Sequence, residues 1–64
     1  MKKRSVTLKG HRTSVSLEPE FWAVLEELAA RRGQSLQKLV EGVDQVRGIR
    51  SLAAALRVLA LAEK

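Results

Sequence analysis

Five basic side chains lie within the first twelve residues, and they have the clearest chemistry in the sequence. They are Lys2, Lys3, Arg4, Lys9 and Arg12, with no acidic residue among them. From Thr13 onward seven basic residues balance seven acidic ones, so the net charge of +5 belongs to this N-terminal segment. Such a concentration of charge indicates a polyanionic partner, although a solvated basic tail would have the same composition.

The side chains needed for catalysis or metal binding are scarce. The chain has no cysteine and one histidine, His11, which alone cannot build a zinc site. Glu26 and Glu27 are adjacent acids, but neighbouring helix positions point about 100° apart and no nucleophile accompanies them. We therefore expect no enzyme activity, no catalytic residue, no metal and no cofactor.

Alternation of polar and apolar side chains predicts one short β-strand that begins near Arg12. Its two faces carry Arg12, Ser14 and Ser16 on one side and Thr13, Val15 and Leu17 on the other. The strand ends at Glu18 because Pro19 cannot donate a ladder hydrogen bond, whereas proline suits the first position of a helix.

Three amphipathic helices are predicted after the strand. Apolar residues spaced three and four apart predict a first helix over residues 19–32, which Gly33 ends. Ser35 and Ser51 are N-cap candidates for a second helix ending near Arg47 and for a third, C-terminal helix. The stretch 51–62 is too short to span a bilayer and the basic start lacks a signal-peptide core, so we expect a cytoplasmic protein without membrane association.

The predicted strand needs a partner, and so does the apolar surface of the helices. A chain of 64 residues is marginal as a lone monomer. The faces that carry Phe21, Leu25, Val40 and Val43 look too large for one chain to bury. A second copy would pair its strand antiparallel with the first about a two-fold axis, so we expect a homodimer.

Several segments together resemble the ribbon-helix-helix family of repressors and antitoxins, the Arc/MetJ class. The resemblance covers about residues 12–46 and is carried by Arg-Thr-Ser-Val-Ser-Leu-Glu-Pro-Glu-Phe-Trp, by Leu-Glu-Glu-Leu-Ala-Ala-Arg-Arg-Gly-Gln-Ser, and by Leu-Val in the second helix. With the preceding Gly-His and the tail Ser-Leu-Ala-Ala-Ala-Leu-Arg-Val, the chain is similar to short bacterial members. The resemblance implies a mostly α fold with one short strand, an intertwined homodimer with an intermolecular antiparallel ribbon, and here a third C-terminal helix.

The resemblance also implies a DNA-binding site. In the family the exposed strand residues bind base edges in the major groove, and by position these are Arg12, Ser14 and Ser16. The turn that opens the second helix lays its amides against a phosphate, which implicates Gln34, Ser35 and Leu36. Both roles are physically sound, because the major groove admits a two-stranded ribbon and free amides at a helix N-terminus favour phosphate.

Residues 1–10 have two possible structures. They can form a basic arm in which Lys2, Lys3, Arg4 and Lys9 bind phosphates, the alternative that we favour for the DNA-bound state. However, Ser5-Val6-Thr7-Leu8 nearly repeats Ser14-Val15-Ser16-Leu17. Residues 4–8 could therefore be an extra strand, with a Gly10-His11 turn that places Val6 opposite Val15 and Leu8 opposite Thr13.

The sequence thus divides into a basic segment (1–10), a ribbon-helix-helix core (11–47) and a C-terminal helix (48–64). The expected function is sequence-specific duplex DNA binding by a homodimeric transcriptional repressor. The alternative is an antitoxin-like or assembly protein-interaction module whose C-terminal helix docks on a protein partner.

Overall fold

The computed structural model describes residues 1–63, which form two antiparallel strands followed by three helices. The elements are β1 Lys2–Leu8, β2 His11–Leu17, α1 Pro19–Arg31, α2 Leu36–Val46 and α3 Leu52–Ala62. The expectation of a single strand is wrong, because the basic N-terminal segment supplies β1. It pairs along the whole of β2, so the strand has its partner within its own chain.

The turn between the strands sets a register that differs from the expected one. Lys9 and Gly10 have φ values of 52° and 82°, the pair of positive angles that a type I′ hairpin turn requires. Gly10 adopts its angle without steric cost, so Lys9 is the residue of the turn that takes up an unusual backbone conformation. The register therefore pairs Leu8 with His11 and Val6 with Thr13, two residues away from the expected Val6–Val15 pairing.

Local signals at the helix ends act as the sequence predicts. Gly33, with φ of 67°, ends α1, and the amides of Gly33 and Gln34 donate to the carbonyls of Ala30 and Ala29. Ser35 caps α2 by accepting a hydrogen bond from the Lys38 amide at 3.0 Å. Ser51 caps α3 in the same way, with the Ala54 amide at 3.1 Å. The three helices therefore begin and end close to their expected positions.

The core lies between the hairpin and the three helices, with β1 beside α2 and β2 beside α3. Its largest fully buried side chains are Leu17, Leu25, Val40 and Leu56. The inference that one chain cannot bury the helix faces is wrong for Leu25 and Val40, which are fully buried, whereas Phe21 and Val43 are half-buried. The chain exposes 4276 Å², close to the roughly 4,100 Å² expected of a folded monomer of its mass.

A long-range ion pair ties α3 to the start of α1. The Arg57 guanidinium donates to Glu18 Oε1 at 3.0 Å. A backbone hydrogen bond and the Arg57 side chain together lower the pKa of Glu18 below its ordinary value.

Among the helices in residues 1–63, none combines the length and apolar character needed to cross a membrane.

Candidate nucleic-acid interface

The two faces of the β1–β2 hairpin differ in chemistry. Directly paired residues of an antiparallel ladder share a face, so the register assigns three residues of each strand to the side away from the helices. We call this side the outer face, and it consists of Lys3, Ser5 and Thr7 from β1 and Arg12, Ser14 and Ser16 from β2. All are polar and none is acidic, and all are exposed except the half-buried Ser16.

The opposite side of the hairpin packs on the helices. Val6 and Val15 are 5% exposed there, and Leu17 is fully buried. The alternation in β2 therefore places Arg12, Ser14 and Ser16 on one solvent-facing side, as the sequence predicts. Because the apolar side chains all face inward, the outer face is left without a packing role.

Arg4, a candidate phosphate-binding residue, lies on the helix side of the hairpin. Its Nη2 is 2.9 Å from Glu26 Oε2, and its guanidinium carbon lies 5.2 Å from the centroid of the Trp22 ring. Trp22 is 2% exposed and donates its Nε1 hydrogen bond to the Lys2 carbonyl at 2.8 Å. The charge of Arg4 is therefore neutralised within the fold, and Trp22 is a core residue.

The cations on and beside the outer face, unlike Arg4, have no acidic partner within residues 1–63. Lys3 and Arg12 lie on it, and Lys9 occupies the hairpin turn. The ion pairs found within residues 1–63 involve none of these three side chains. Their charges are directed to solvent, which is the arrangement that attracts a polyanion.

Gln37 in the first turn of α2 fastens this helix to the edge of the hairpin. Its Oε1 accepts from the Thr7 amide at 3.0 Å, and its Nε2 donates to the Thr7 carbonyl. The same Nε2 donates to Glu41 Oε2 at 2.8 Å, which fixes the orientation of the side-chain amide. Because Gln37 satisfies the backbone of Thr7 on the open side of β1, it holds the N-terminus of α2 against the hairpin.

The expected phosphate clamp at the start of α2 is only partly free. The Gln34 amide is engaged by the Ala29 carbonyl at 3.0 Å, as part of the cap that ends α1. Within residues 1–63 the amides of Ser35 and Leu36 have no acceptor, since both belong to the unpaired start of α2. Lys38 lies in the same turn with 73% of its side chain exposed, and its Nζ is 4.0 Å from Glu41 Oε1. The cation beside these amides is therefore loosely paired with an acid.

The outer face has the shape and the hydrogen-bonding groups to bind a nucleic-acid duplex. A two-stranded ribbon enters the major groove of B-DNA, which is about 12 Å wide. Arginine or lysine can donate to O6 and N7 of guanine, and hydroxyl groups both donate and accept.

His11 is exposed at the start of β2, and the described residues contain no cluster of three histidine or carboxylate side chains that could hold a metal ion.

Of the two structures expected for residues 1–10, the basic arm does not place Lys3, Ser5 and Thr7 beside β2. The alternative hairpin does so, in a register two residues from the observed one. The near-repeat of Ser5–Leu8 and Ser14–Leu17 indicates that the two segments can pair as strands. Their register is set by a turn whose first residue, Lys9, has a left-handed backbone conformation. Gln37 was also missed. Nothing in its sequence context distinguishes it from Gln45, an exposed residue of the same helix.

Comparison with known proteins gives one match. A family model described as a ribbon-helix-helix domain matches residues 1–63, nearly the whole chain. No curated protein and no solved structure matches the sequence.

Proposed function

The chain belongs to the ribbon-helix-helix family, and from that premise we propose that it is a sequence-specific repressor that binds duplex DNA as a homodimer. The family consists of DNA-binding regulatory modules rather than enzymes, and membership implies both DNA binding and dimerisation. Family membership does not by itself establish that this chain represses transcription, prefers one DNA sequence or forms a homodimer. These three properties are our proposal.

The observation that carries the proposal is the outer face of the hairpin. It offers six polar side chains with two unpaired cations and no acid, on a two-stranded ribbon of the width that the major groove accepts. In this proposal Arg12, Ser14 and Ser16 bind base edges, with Arg12 donating two hydrogen bonds to a guanine.

Phosphate contacts would flank the base contacts. Lys9 at the hairpin turn and the free amides of Ser35 and Leu36 at the start of α2 are the groups we assign to phosphates. Gln37 would keep the clamp at a constant distance from the hairpin. Arg4 is bound to Glu26 and has no such role here, and Lys2 contributes only long-range charge.

The dimer contact needs a surface, and the structure leaves exposed apolar side chains around the connection between α2 and α3. Val46 at the end of α2 is 82% exposed, Ile49 in the connection is completely exposed, and Val58 of α3 is also exposed. Val46 and Val58 line one groove, whereas the exposed Leu61 lies beside α1. We infer that a second copy covers this surface. Pairing of β2 with a second β2 would instead give four strands spanning roughly 14 Å between outer backbones, wider than the roughly 12 Å groove.

The test is binding of duplexes selected from a random pool, measured over a range of salt concentrations. The parent should bind selected duplexes saturably, with log affinity falling linearly as log salt rises. Arg12→Ala should bring selected binding toward the nonspecific level, whereas Arg31→Ala, which removes the same charge from the end of α1, should preserve the preference. A parent that binds no duplex would contradict the proposal and favour the protein-interaction alternative.

A further inference from the structure

The two strands of the hairpin are an internal repeat. Lys3-Arg4-Ser5-Val6-Thr7-Leu8 matches Arg12-Thr13-Ser14-Val15-Ser16-Leu17 at an offset of nine residues. Serine, valine and leucine are identical, lysine matches arginine and threonine matches serine. Arg4 and Thr13 are the one pair of different type, and both lie on the side away from the outer face.

The register converts this repeat into an approximate two-fold symmetry of the outer face. Ser5 pairs with Ser14, its own counterpart in the repeat, so the symmetry axis passes between them. On one side of the axis Lys3 pairs with Ser16, and on the other side Thr7 pairs with Arg12. Each end of the face therefore presents one cation beside one hydroxyl, and the two cations lie on a diagonal.

We propose that β1 supplies the second half of the DNA-reading face, with Lys3, Ser5 and Thr7 as counterparts of Arg12, Ser14 and Ser16. The inference rests on the proposed function. One chain then carries a complete ribbon with approximate two-fold symmetry, and its ligand is a short inverted repeat in duplex DNA. A homodimer would bind two such repeats.

The spacing of the cations defines the repeat. Ser16 and Arg12 are separated by four residues along β2, or roughly 13 Å, and adjacent strands lie roughly 4.8 Å apart. Lys3 and Arg12 are therefore about 14 Å apart across the diagonal, close to four base-pair steps of roughly 3.4 Å. Because both side chains can bind guanine O6 and N7, the expected repeat has guanines about four base pairs apart on opposite strands.

Lys2 provides a matched control for Lys3. The two lysines are adjacent and both are exposed, but Lys2 lies on the helix side of the hairpin and Lys3 on the outer face. Neither takes part in an ion pair found within residues 1–63, so replacement by alanine should leave the fold intact. Circular dichroism and thermal melting of both variants check this point.

The experiment compares sites selected from a random duplex pool by the parent, Lys2→Ala, Lys3→Ala and Arg12→Ala. The parent should select an inverted repeat. Lys3→Ala should lose the preference for one half of it and Arg12→Ala for the other half, each with on the order of a tenfold or greater loss of affinity for the full repeat. Lys2→Ala should select the parent's sequence, with a salt slope shallower by at most about 0.9 per lost phosphate contact.

A variant that makes the face more symmetric gives an independent result. Lys3→Arg should bind a perfect inverted repeat more tightly than the parent does, since arginine suits two-point contact with guanine better than lysine. If Lys3→Ala weakens all duplexes equally, no more than Lys2→Ala does, and leaves the selected sequence unchanged, the inference is overturned while the proposed function stands. If the parent selects no sequence, the proposed function itself fails.

Discussion

Arg4 and Arg12 carry the same side chain on the same hairpin, yet their surroundings are opposite. Arg12 extends from the outer face and has no acidic partner within residues 1–63, whereas Arg4 lies against Trp22 and Glu26. The difference follows from the pairing of the strands, because neighbouring positions alternate between faces. Of these two arginines, only Arg12 keeps its charge free of an acidic partner within residues 1–63.

This contrast gives a prediction for Arg4. Arg4→Ala should lower the free energy of unfolding by about 0.5–2 kcal/mol, because it removes a cation–π contact and the packing of the arginine stem on Trp22. DNA sequence preference should not change. Chemical denaturation and selection from a random duplex pool measure the two effects, and a loss of preference without a loss of stability would place Arg4 on the DNA instead.

The sequence predicts which side chains of β2 share a face, since alternation over Arg12–Leu17 suffices for that. The sequence does not predict which basic residues of β1 face solvent and which contact the helices. Charge alone made Lys2, Lys3 and Arg4 equivalent, and they separate only when the register and the position of α1 are known.

Among the elements, the hairpin depends on contacts that lie far apart in the sequence. β1 is an edge strand, and its backbone at Thr7 is satisfied by Gln37, thirty residues away. Helix caps such as Ser35 and Gly33 are local signals and were predictable. The formation of a strand by residues 2–8 depends on contacts distant in the sequence. The energetic cost of the left-handed backbone conformation of Lys9 is offset by packing of Val6 in the core and by the hydrogen bonds to α2.

Gln37→Ala tests the link between the hairpin and α2. Removing two hydrogen bonds to an edge strand should cost about 1–3 kcal/mol of unfolding free energy, at roughly 0.5–1.5 kcal/mol each. Gln45→Ala is the matched control, because Gln45 is exposed on the same helix. Amide hydrogen exchange should also become faster in β1 for Gln37→Ala alone. Equal behaviour of the two variants would show that the link does not stabilise the hairpin.

For the whole molecule, the structure changes the reason for expecting a dimer. One chain buries its own core and pairs its own strand, so neither of these two features calls for a second copy. The sequence showed how much apolar surface the helices carry, but not that the hairpin would cover it from within the same chain. What remains uncovered is the apolar surface that includes Val46 and Ile49.

A charge on this surface separates association from folding. Val46→Lys should give a folded monomer in sedimentation, because Val46 is 82% exposed and adds little to the core of its own chain. Its neighbour Gln45 is also exposed, so Gln45→Lys introduces the same charge without removing an apolar contact and should remain dimeric. A Val46→Lys protein that is still dimeric would move the interface elsewhere, with the open edge of β2 as the next candidate.

Contact between the outer face of the hairpin and DNA can be observed by titrating the ¹⁵N-labelled chain with a selected duplex and following its amide resonances. We expect the largest shifts in residues 3–7 and 12–16, with smaller shifts at Ser35 and Leu36 and little change in α3. Shifts that are concentrated in α3 or along the exposed side of α1, with the hairpin resonances unmoved, would contradict it.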